Sequence, residues 1–225
     1  MLRTTTIFAK KPEPGAVKTR LAPRLVGAEA AAFATAMLDD TVARCVDLEP
    51  REFETVLCVA PADAVPWFVA RHPRVARVVP QVGVDLGERL ARHAHDELSE
   101  GARTLVVLGS DAPHARIESC LEAHERLERG ADLVLGLDDG GGYHLVGLRR
   151  PCAEIFTRVP MSTPDMAART VALARELGLV VAFVEPEFDV DEPADVERLR
   201  EAFESGRLPR ERAPRTAAFL TSARA

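Results

Sequence analysis

Short apolar runs alternate with segments of helical periodicity along most of this chain, and this alternation constrains its fold more than any other feature. The strand-like runs are 4–9, 54–60, 74–80, 104–108, 132–137, 143–148 and 180–184. Most are separated by segments of helical spacing, at 28–46, 63–71, 86–98, 115–129, 164–177 and 193–203. Strands that alternate with helices predict a three-layer α/β domain with a largely parallel sheet.

One pair of strands departs from this rule. The runs 132–137 and 143–148 are joined by a short loop that contains Gly140, Gly141 and Gly142. A parallel connection needs about a dozen residues or more, so these two strands must run antiparallel. The predicted sheet is therefore mixed.

Composition excludes several classes of function. The 225 residues suffice for one α/β domain, and the net charge of −6 provides no global basic field for nucleic acid. Aromatic residues make up only 5%, which argues against base stacking on single strands. No apolar stretch approaches membrane-spanning length, and no signal-peptide segment is evident. We expect a cytoplasmic protein that binds neither nucleic acid nor membranes.

The cysteines do not suggest a metal or redox site. Cys45, Cys58, Cys120 and Cys152 are widely spaced, and none belongs to a C-x-x-C pair. Reduced thiols are the expected state.

The C-terminal segment differs in composition from the rest of the chain. Residues 205–225 contain five arginines (Arg207, Arg210, Arg212, Arg215 and Arg224) and two prolines. We predict a folded domain over 1–204 followed by an Arg-rich tail over 205–225. The tail is expected to be disordered or loosely packed, or to serve as an arm that supports a homodimer.

An aspartate follows the most apolar predicted strand. The run 104–108 ends in Gly109, Ser110 and Asp111. Ligands bind beyond the carboxyl ends of such strands, where a carboxylate can hold a divalent cation against a phosphate. The alternative is a turn aspartate that only accepts bonds from nearby backbone N–H groups.

A cationic loop follows the first predicted strand. It contains Lys10, Lys11, Lys18 and Arg20 around Gly15. Such a loop can direct N–H groups and positive side chains at phosphate oxygens, although it is neither a P-loop nor a dinucleotide fingerprint. A solvated basic loop is the alternative, and the density of cations favours phosphate binding.

Two further loops carry polar groups. Asp189 and Asp191 would point to the same side of an extended segment and suit a hard cation, although Asp191 or Glu192 could instead cap the helix that begins at Pro193. Gln81 follows a predicted strand, where its amide could contact a base, and Arg89 could reach a phosphate. A plain connecting loop is the default interpretation of the second segment.

Six motifs that occur in order resemble a known family. They are Ile7-Phe8-Ala9-Lys10 with Pro14-Gly15-x-x-Lys18-Thr19-Arg20-Leu21, Gln81 with Asp85-Leu86-Gly87-Glu88-Arg89, Gly109-Ser110-Asp111-x-Pro113, Gly141-Gly142-Tyr143-x-Leu145-x-Gly147-Leu148, Pro160-x-Ser162-Thr163, and Asp189-Val190-Asp191-x-Pro193. The chain from Thr4 to about Leu199 resembles the small GT-A-fold transferases described as glycosyltransferases linked to arsenosugar or selenium-related clusters. This fold is similar to that of sugar-nucleotide, molybdenum-cofactor and phospholactate nucleotidyltransferases.

The resemblance implies a GT-A (nucleotide-diphospho-sugar transferase-like) fold and a set of site residues. The implied nucleotide-binding residues are Gly15, Lys18, Arg20 and Gln81, to which the sequence adds Arg89 and Ser110. The implied ligands for Mg²⁺ or Mn²⁺ are Asp111, Asp189 and Asp191. The implied partners are a nucleotide-activated donor and a small-molecule acceptor.

One position departs from the family pattern. Members usually show Asp-Gly-Gly-Tyr before the hairpin strand, and the residue here at the aspartate position is Gly140. Asp139 lies one position earlier and is predicted to act on the acceptor beside a catalytic Asp111. Three functions remain open: a glycosyltransferase as first choice, a guanylyl- or cytidylyl-type nucleotidyltransferase that releases pyrophosphate, and a nucleotide-binding protein with weak or no catalysis.

Overall fold

The computed structural model describes residues 2–48 and 53–222, and its centre is a seven-stranded sheet. The strand order is β3-β2-β1-β4-β6-β5-β7. Strand β6 runs antiparallel to β4 and β5, and the other neighbours are parallel. The strands are β1 Arg3–Lys10, β2 Glu54–Ala60, β3 Arg77–Pro80, β4 Thr104–Leu108, β5 Leu133–Leu137, β6 Tyr143–Leu148 and β7 Val181–Val184. The predicted mixed, mostly parallel sheet and the antiparallel glycine hairpin are confirmed.

Helices cover both faces of the sheet, as the predicted three-layer architecture requires. They are α1 Ala28–Leu48, α2 Val65–Arg71, α3 Leu86–Ser99, α4 Glu118–Glu128, α5 Glu154–Thr157, α6 Met166–Glu176, α7 Pro193–Glu204 and α8 Pro214–Ser222. Along β4, Leu105 and Val107 pack into the core beneath α3 and α6, whereas Val106 packs into the core beneath α1 and α4. This alternation explains the continuous apolar run, because β4 is buried on both faces.

The C-terminal segment is ordered, so the expectation of a disordered or loosely packed tail is wrong for residues 205–222. Ala217 and Leu220 of α8 are buried in a cluster with Phe33 of α1. The small and apolar residues of this segment recur at helical spacing among the arginines, and this spacing supplies a packing face that overall composition conceals. Arg224 lies outside the described residues.

All four cysteines are free, and Cys45, Cys58 and Cys120 are buried. Within 2–48 and 53–222, no helix combines the length and the apolar character that crossing a membrane requires.

Candidate functional site

The loop after β1 places Lys18, the last lysine of this loop, over the edge of the sheet. Lys10 Nζ donates to the carbonyl of Ala16 at 2.9 Å and so shapes the loop from within. Lys18 has a left-handed backbone, with φ 50°, immediately before a short 3-10 turn over Thr19–Leu21. A left-handed conformation is uncommon for a residue other than glycine. It reverses the chain at Lys18.

Lys18 joins the two ends of the candidate site. Its Nζ lies 2.7 Å from Asp111 Oδ1 and 2.7 Å from Asp191 Oδ1, and it donates to the carbonyl of Val190 at 2.8 Å. Burial disfavours the ammonium charge, but the two carboxylates outweigh burial and raise the pKa of Lys18 above its ordinary value. The cation is therefore held firmly between residues that follow β4 and residues that precede α7.

Backbone hydrogen bonds hold these two acidic segments against each other. The N–H of Val190 donates to the carbonyl of Asp111 at 2.9 Å. The carboxylate of Asp195 accepts from the N–H groups of Asp191 and Glu192 at 3.1 and 2.7 Å. Glu192 is the N-cap of α7 and forms a capping box with Asp195, so the helix does not use the side chain of Asp191, which pairs with Lys18.

The groups around Asp189 carry more negative than positive charge. Burial is the main cause that raises the pKa of Asp189, followed by the carboxylates of Asp111, Asp138 and Asp191, and the result is about 8. Lys18 opposes this shift but does not cancel it. The nearby carboxylates therefore outweigh the single ammonium of Lys18 at Asp189.

Asp111 and Asp191 border a cleft of about 410 Å³ at the carboxyl ends of β1 and β4, whereas Asp138 and Asp189 do not line it. The lining includes Lys10, Lys18, Arg20, Gln81, Ser110, Asp111 and Asp191. Six of the predicted nucleotide-binding and metal-binding residues therefore line one cleft, although they come from four separate segments of the chain.

The amide of Gln81 has a fixed orientation in this cleft. Its Nε2 donates to the backbone carbonyls of Cys58 at 3.0 Å and Ala9 at 3.3 Å. Carbonyl oxygens only accept hydrogen bonds, so the nitrogen is identified and Oε1 remains as an acceptor. The residue combines a structural role with a group that a ligand can use.

Other predicted residues lie away from the cleft lining. Arg89 donates through Nε to the carbonyl of Gly83 at 3.0 Å, which tightens its own loop. Gly15 adopts φ 78° in the loop before Lys18. Asp139 forms a salt bridge with Arg198 of α7, and the side chain of Asp139 is more than half exposed. The structure does not bring Asp139 to the Lys18 cluster, so its catalytic role stays a prediction.

Sequence reasoning passed over two residues, one that adds negative charge around Asp189 and one that holds Asp139 away from the cleft. Asp138 was part of the glycine-loop pattern but was not selected; it accepts from the N–H of Gly142 at 2.8 Å and adds to the charge around Asp189. Arg198 packs over the ring of Phe188, with its Cζ 3.9 Å from the ring centroid, and holds Asp139. The doubled aspartate before the glycines was a signal for Asp138, whereas nothing local indicated Arg198.

The donor set suits a hard cation such as Mg²⁺ or Mn²⁺, because it consists of carboxylate oxygens in surplus negative charge. The position between Asp111 and Asp191 is taken by the Lys18 ammonium. In keeping with this ion pair, no group of three or more His, Cys, Asp or Glu side chains is arranged to hold a metal within the described ranges. The chemistry of the ligands fits a metal, and the metal assignment stays a prediction.

Comparison with solved structures places the fold among transferases. A protein of Desulfovibrio desulfuricans G20, whose name assigns it provisionally to the nucleotide-diphospho-sugar transferases, superposes with a TM-score of 0.88 at 28% identity, covering 99% of this chain and 95% of that one. A cytidylyltransferase from Leptospira borgpetersenii gives a TM-score of 0.55 at 12% identity, over 100% of this chain and 94% of that one. At so low an identity, the second likeness shows the fold alone.

Sequence comparison identifies the family. A phosphoenolpyruvate guanylyltransferase of Sphaerobacter thermophilus is 31% identical over 186 residues, which cover 81% of this chain and 86% of that protein. The family model DUF2064, "Uncharacterized protein conserved in bacteria", matches residues 41–163. With this relative, this match and the GT-A-like fold together, the chain belongs to the DUF2064 family and is a transferase.

Proposed function

We propose that this protein is a nucleotidyltransferase that moves a nucleoside monophosphate from a nucleoside triphosphate to a phosphorylated small-molecule acceptor. The observation that carries the proposal is a cleft lined by the cations of Lys18 and Arg20 and by two carboxylates, with the Lys18 ammonium between Asp111 and Asp191. Guanine is the proposed base and phosphoenolpyruvate the first acceptor to test, because a guanylyltransferase named for that acceptor is 31% identical.

The bond changes require little acid–base chemistry from the protein. An oxygen of the acceptor phosphate attacks the α-phosphorus of the triphosphate, and the bond to the β-phosphate oxygen breaks, which releases pyrophosphate. A phosphate acceptor is already anionic near neutral pH, so no general base is needed to form the nucleophile. Positioning and charge neutralisation are then the main tasks of the site.

This requirement favours nucleotidyl transfer over glycosyl transfer. A hydroxyl acceptor needs a base, and the residue predicted for that task, Asp139, is held by Arg198 outside the cleft lining. Gly140 occupies the position where a family aspartate is expected. A phosphate acceptor tolerates both departures.

Each cleft residue has a proposed role. Lys18 and Arg20 bind the triphosphate and neutralise the charge that develops on the leaving pyrophosphate. Gln81 Oε1 accepts from an N–H of the base while Nε2 stays bonded to Ala9 and Cys58. Asp111, Asp189 and Asp191 would hold Mg²⁺ or Mn²⁺, which supplies Lewis-acid neutralisation of phosphate charge when bound.

The products distinguish this proposal from its main alternative. The alternative is a glycosyltransferase, which is supported by the resemblance to the arsenosugar- and selenium-linked family and by the name of the Desulfovibrio protein. The experiment incubates the protein with Mg²⁺ or Mn²⁺, GTP or CTP, and phosphoenolpyruvate or related phosphorylated acids. Parallel reactions contain nucleotide sugars with hydroxylated acceptors.

We expect pyrophosphate and a nucleotidylated acceptor, both identified by mass spectrometry and ³¹P NMR. Release of nucleoside diphosphate from a nucleotide sugar, without pyrophosphate from any triphosphate, contradicts the proposal and supports glycosyl transfer. Nucleotide binding without either product supports the third interpretation, a binding protein with weak or no catalysis.

A further inference from the structure

The Lys18 ammonium has no hydrogen-bond donor left for a ligand. An ammonium has three N–H donors, and Lys18 uses them on Asp111, Asp191 and the carbonyl of Val190. Its side chain is only 7% exposed. A lysine in this position can bind a phosphate only by giving up at least one of these partners.

The same two carboxylates are among the residues that would hold the metal. A divalent cation bound by Asp111 and Asp191 would lie beside the Lys18 ammonium, and like charges at such short range repel strongly. The two proposed roles of the site, to hold a metal and to keep Lys18 between the carboxylates, therefore exclude each other.

We propose that Lys18 is an internal counter-ion, which occupies the Asp111–Asp191 pair in the nucleotide-free protein and moves to the nucleotide phosphates when nucleotide and metal bind. The movement of Lys18 to the nucleotide phosphates rests on the proposed function. Its position between the two carboxylates in the nucleotide-free protein rests on the ion pairs alone.

The surroundings of Lys18 are suited to such an exchange. Lys18 lines a cleft of about 410 Å³, and the exposed Arg20 lines the same cleft. The left-handed backbone of Lys18 is unfavourable for a residue with a side chain, and the ion pairs offset that cost only while they persist. Departure of the lysine side chain frees the two carboxylates together.

The exchange has a thermodynamic consequence. Metal and nucleotide should bind cooperatively, since the metal requires that Lys18 leave the carboxylates and the phosphates provide the place to which it goes. Such coupling is reciprocal, so each ligand increases the affinity for the other by the same factor. The free protein should bind metal weakly.

The test measures Mn²⁺ binding to the full-length, metal-stripped protein by electron paramagnetic resonance, with no nucleotide present. Lys18→Met removes the charge and keeps the length of the side chain. We expect it to bind Mn²⁺ at least tenfold more tightly than the parent. Lys18→Arg keeps the charge and should retain the weak affinity of the parent.

Arg20→Met is the matched control, because it removes a cation of the same loop that does not contact Asp111 or Asp191. It should leave Mn²⁺ affinity unchanged, whereas Arg20→Met and Lys18→Met should both weaken GTP binding in calorimetry. Unchanged or weaker Mn²⁺ binding by Lys18→Met overturns the inference, as does equal tightening by Lys18→Arg. The Mn²⁺ titration involves no nucleotide, so its failure and the failure of the product assay are separate results.

Discussion

Two groups of carboxylates differ in how well their charge is matched by hydrogen-bond donors. Asp40 of α1 is 0% exposed and accepts from the backbone N–H groups and from the side chains of Arg215 and Thr216, at 2.8–3.3 Å. At the cleft, Asp111 and Asp191 share the single ammonium of Lys18, and the buried Asp189 lies in the field of both carboxylates. The first carboxylate is fully matched by donors, and the second group has an excess of acceptors.

The difference distinguishes a carboxylate that stabilises the fold from a group of carboxylates that can bind a ligand. Donors arranged around Asp40 fasten the start of α8 to α1, so the carboxylate serves the fold. The excess negative charge around Asp189 lowers the free energy of unfolding, and the surrounding fold holds the charges together despite this cost. Such an arrangement is typical of functional sites. The comparison yields four predictions, which begin with the largest effect.

The largest effect is expected from Asp111→Asn. Loss of this carboxylate removes a proposed metal ligand and should lower kcat for pyrophosphate release by about 10²–10³-fold. Lys18 keeps Asp191 and Val190 as partners, so the melting temperature should change little. The exposed Asp63→Asn is the control and should match the parent in both measurements. A variant that retains near-parental kcat would show that Asp111 is not part of the chemistry.

The next effect is on stability and comes from Asp40→Asn. An amide cannot accept from all four donors, and a buried donor without a partner is costly, so we expect a loss of about 2–4 kcal/mol in the free energy of unfolding. Urea denaturation measures it. Asp39→Asn is the matched control on the same helix, because the Asp39 side chain is 16% exposed and pairs with Arg71 at 2.6 Å, so its loss should cost less than about 1 kcal/mol. Equal losses from the two variants would contradict the contrast drawn for Asp40.

A smaller, pH-dependent effect is expected from Asp189→Asn. The pKa of Asp189 is raised from 3.8 to about 8 in the folded protein, so between these values the native state holds a proton that the unfolded state has lost. Stability from this group therefore falls as the pH rises through that window. The asparagine variant lacks the dependence and should gain about 1–3 kcal/mol relative to the parent between pH 5 and pH 8.

Urea denaturation at each pH, with chelator present, isolates this difference, because the other titrating groups are common to both proteins. Asp63→Asn again serves as control and should follow the parent at every pH. A constant difference between Asp189→Asn and the parent across the window would mean that the negative charge around Asp189 is not in excess.

Local pattern was sufficient where one segment carried the information. Asp111 could be placed at a ligand-binding edge because the run before it specifies a buried strand and Gly109 ends that strand. The antiparallel hairpin followed from loop length alone. These inferences need no knowledge of distant contacts.

Contacts between segments that are distant in sequence could not be predicted from local pattern. Lys18 and Asp191 are 173 positions apart, and no local pattern states that the cation is already paired. Asp40 and Thr216 are 176 positions apart, so the partner that orders α8 was hidden and the arginines suggested disorder instead. The same reason explains why Arg198 was missed, since its partner Asp139 belongs to another loop.

The smallest effect is expected from Gly140→Asp, which restores the family residue. The backbone of Gly140 does not have positive φ, and an added Cβ would meet Asp138 Oδ1 at 3.3 Å, a close contact that a small shift relieves. Because a phosphate acceptor needs no general base, we expect kcat for pyrophosphate release to change by less than about threefold, equivalent to under 1 kcal/mol.

Gly141→Ala is the contrasting control, because Gly141 has φ +88° and its added Cβ would lie 1.8 Å from the carbonyl of Pro164. That variant should be strongly destabilised, whereas Gly140→Asp should unfold at nearly the parental urea concentration. A large gain in turnover by Gly140→Asp, with unchanged nucleotide affinity, would mean that the acceptor requires a base. The hairpin loop would then join the cleft as part of the catalytic machinery, and the acceptor would be a hydroxyl compound instead of a phosphate.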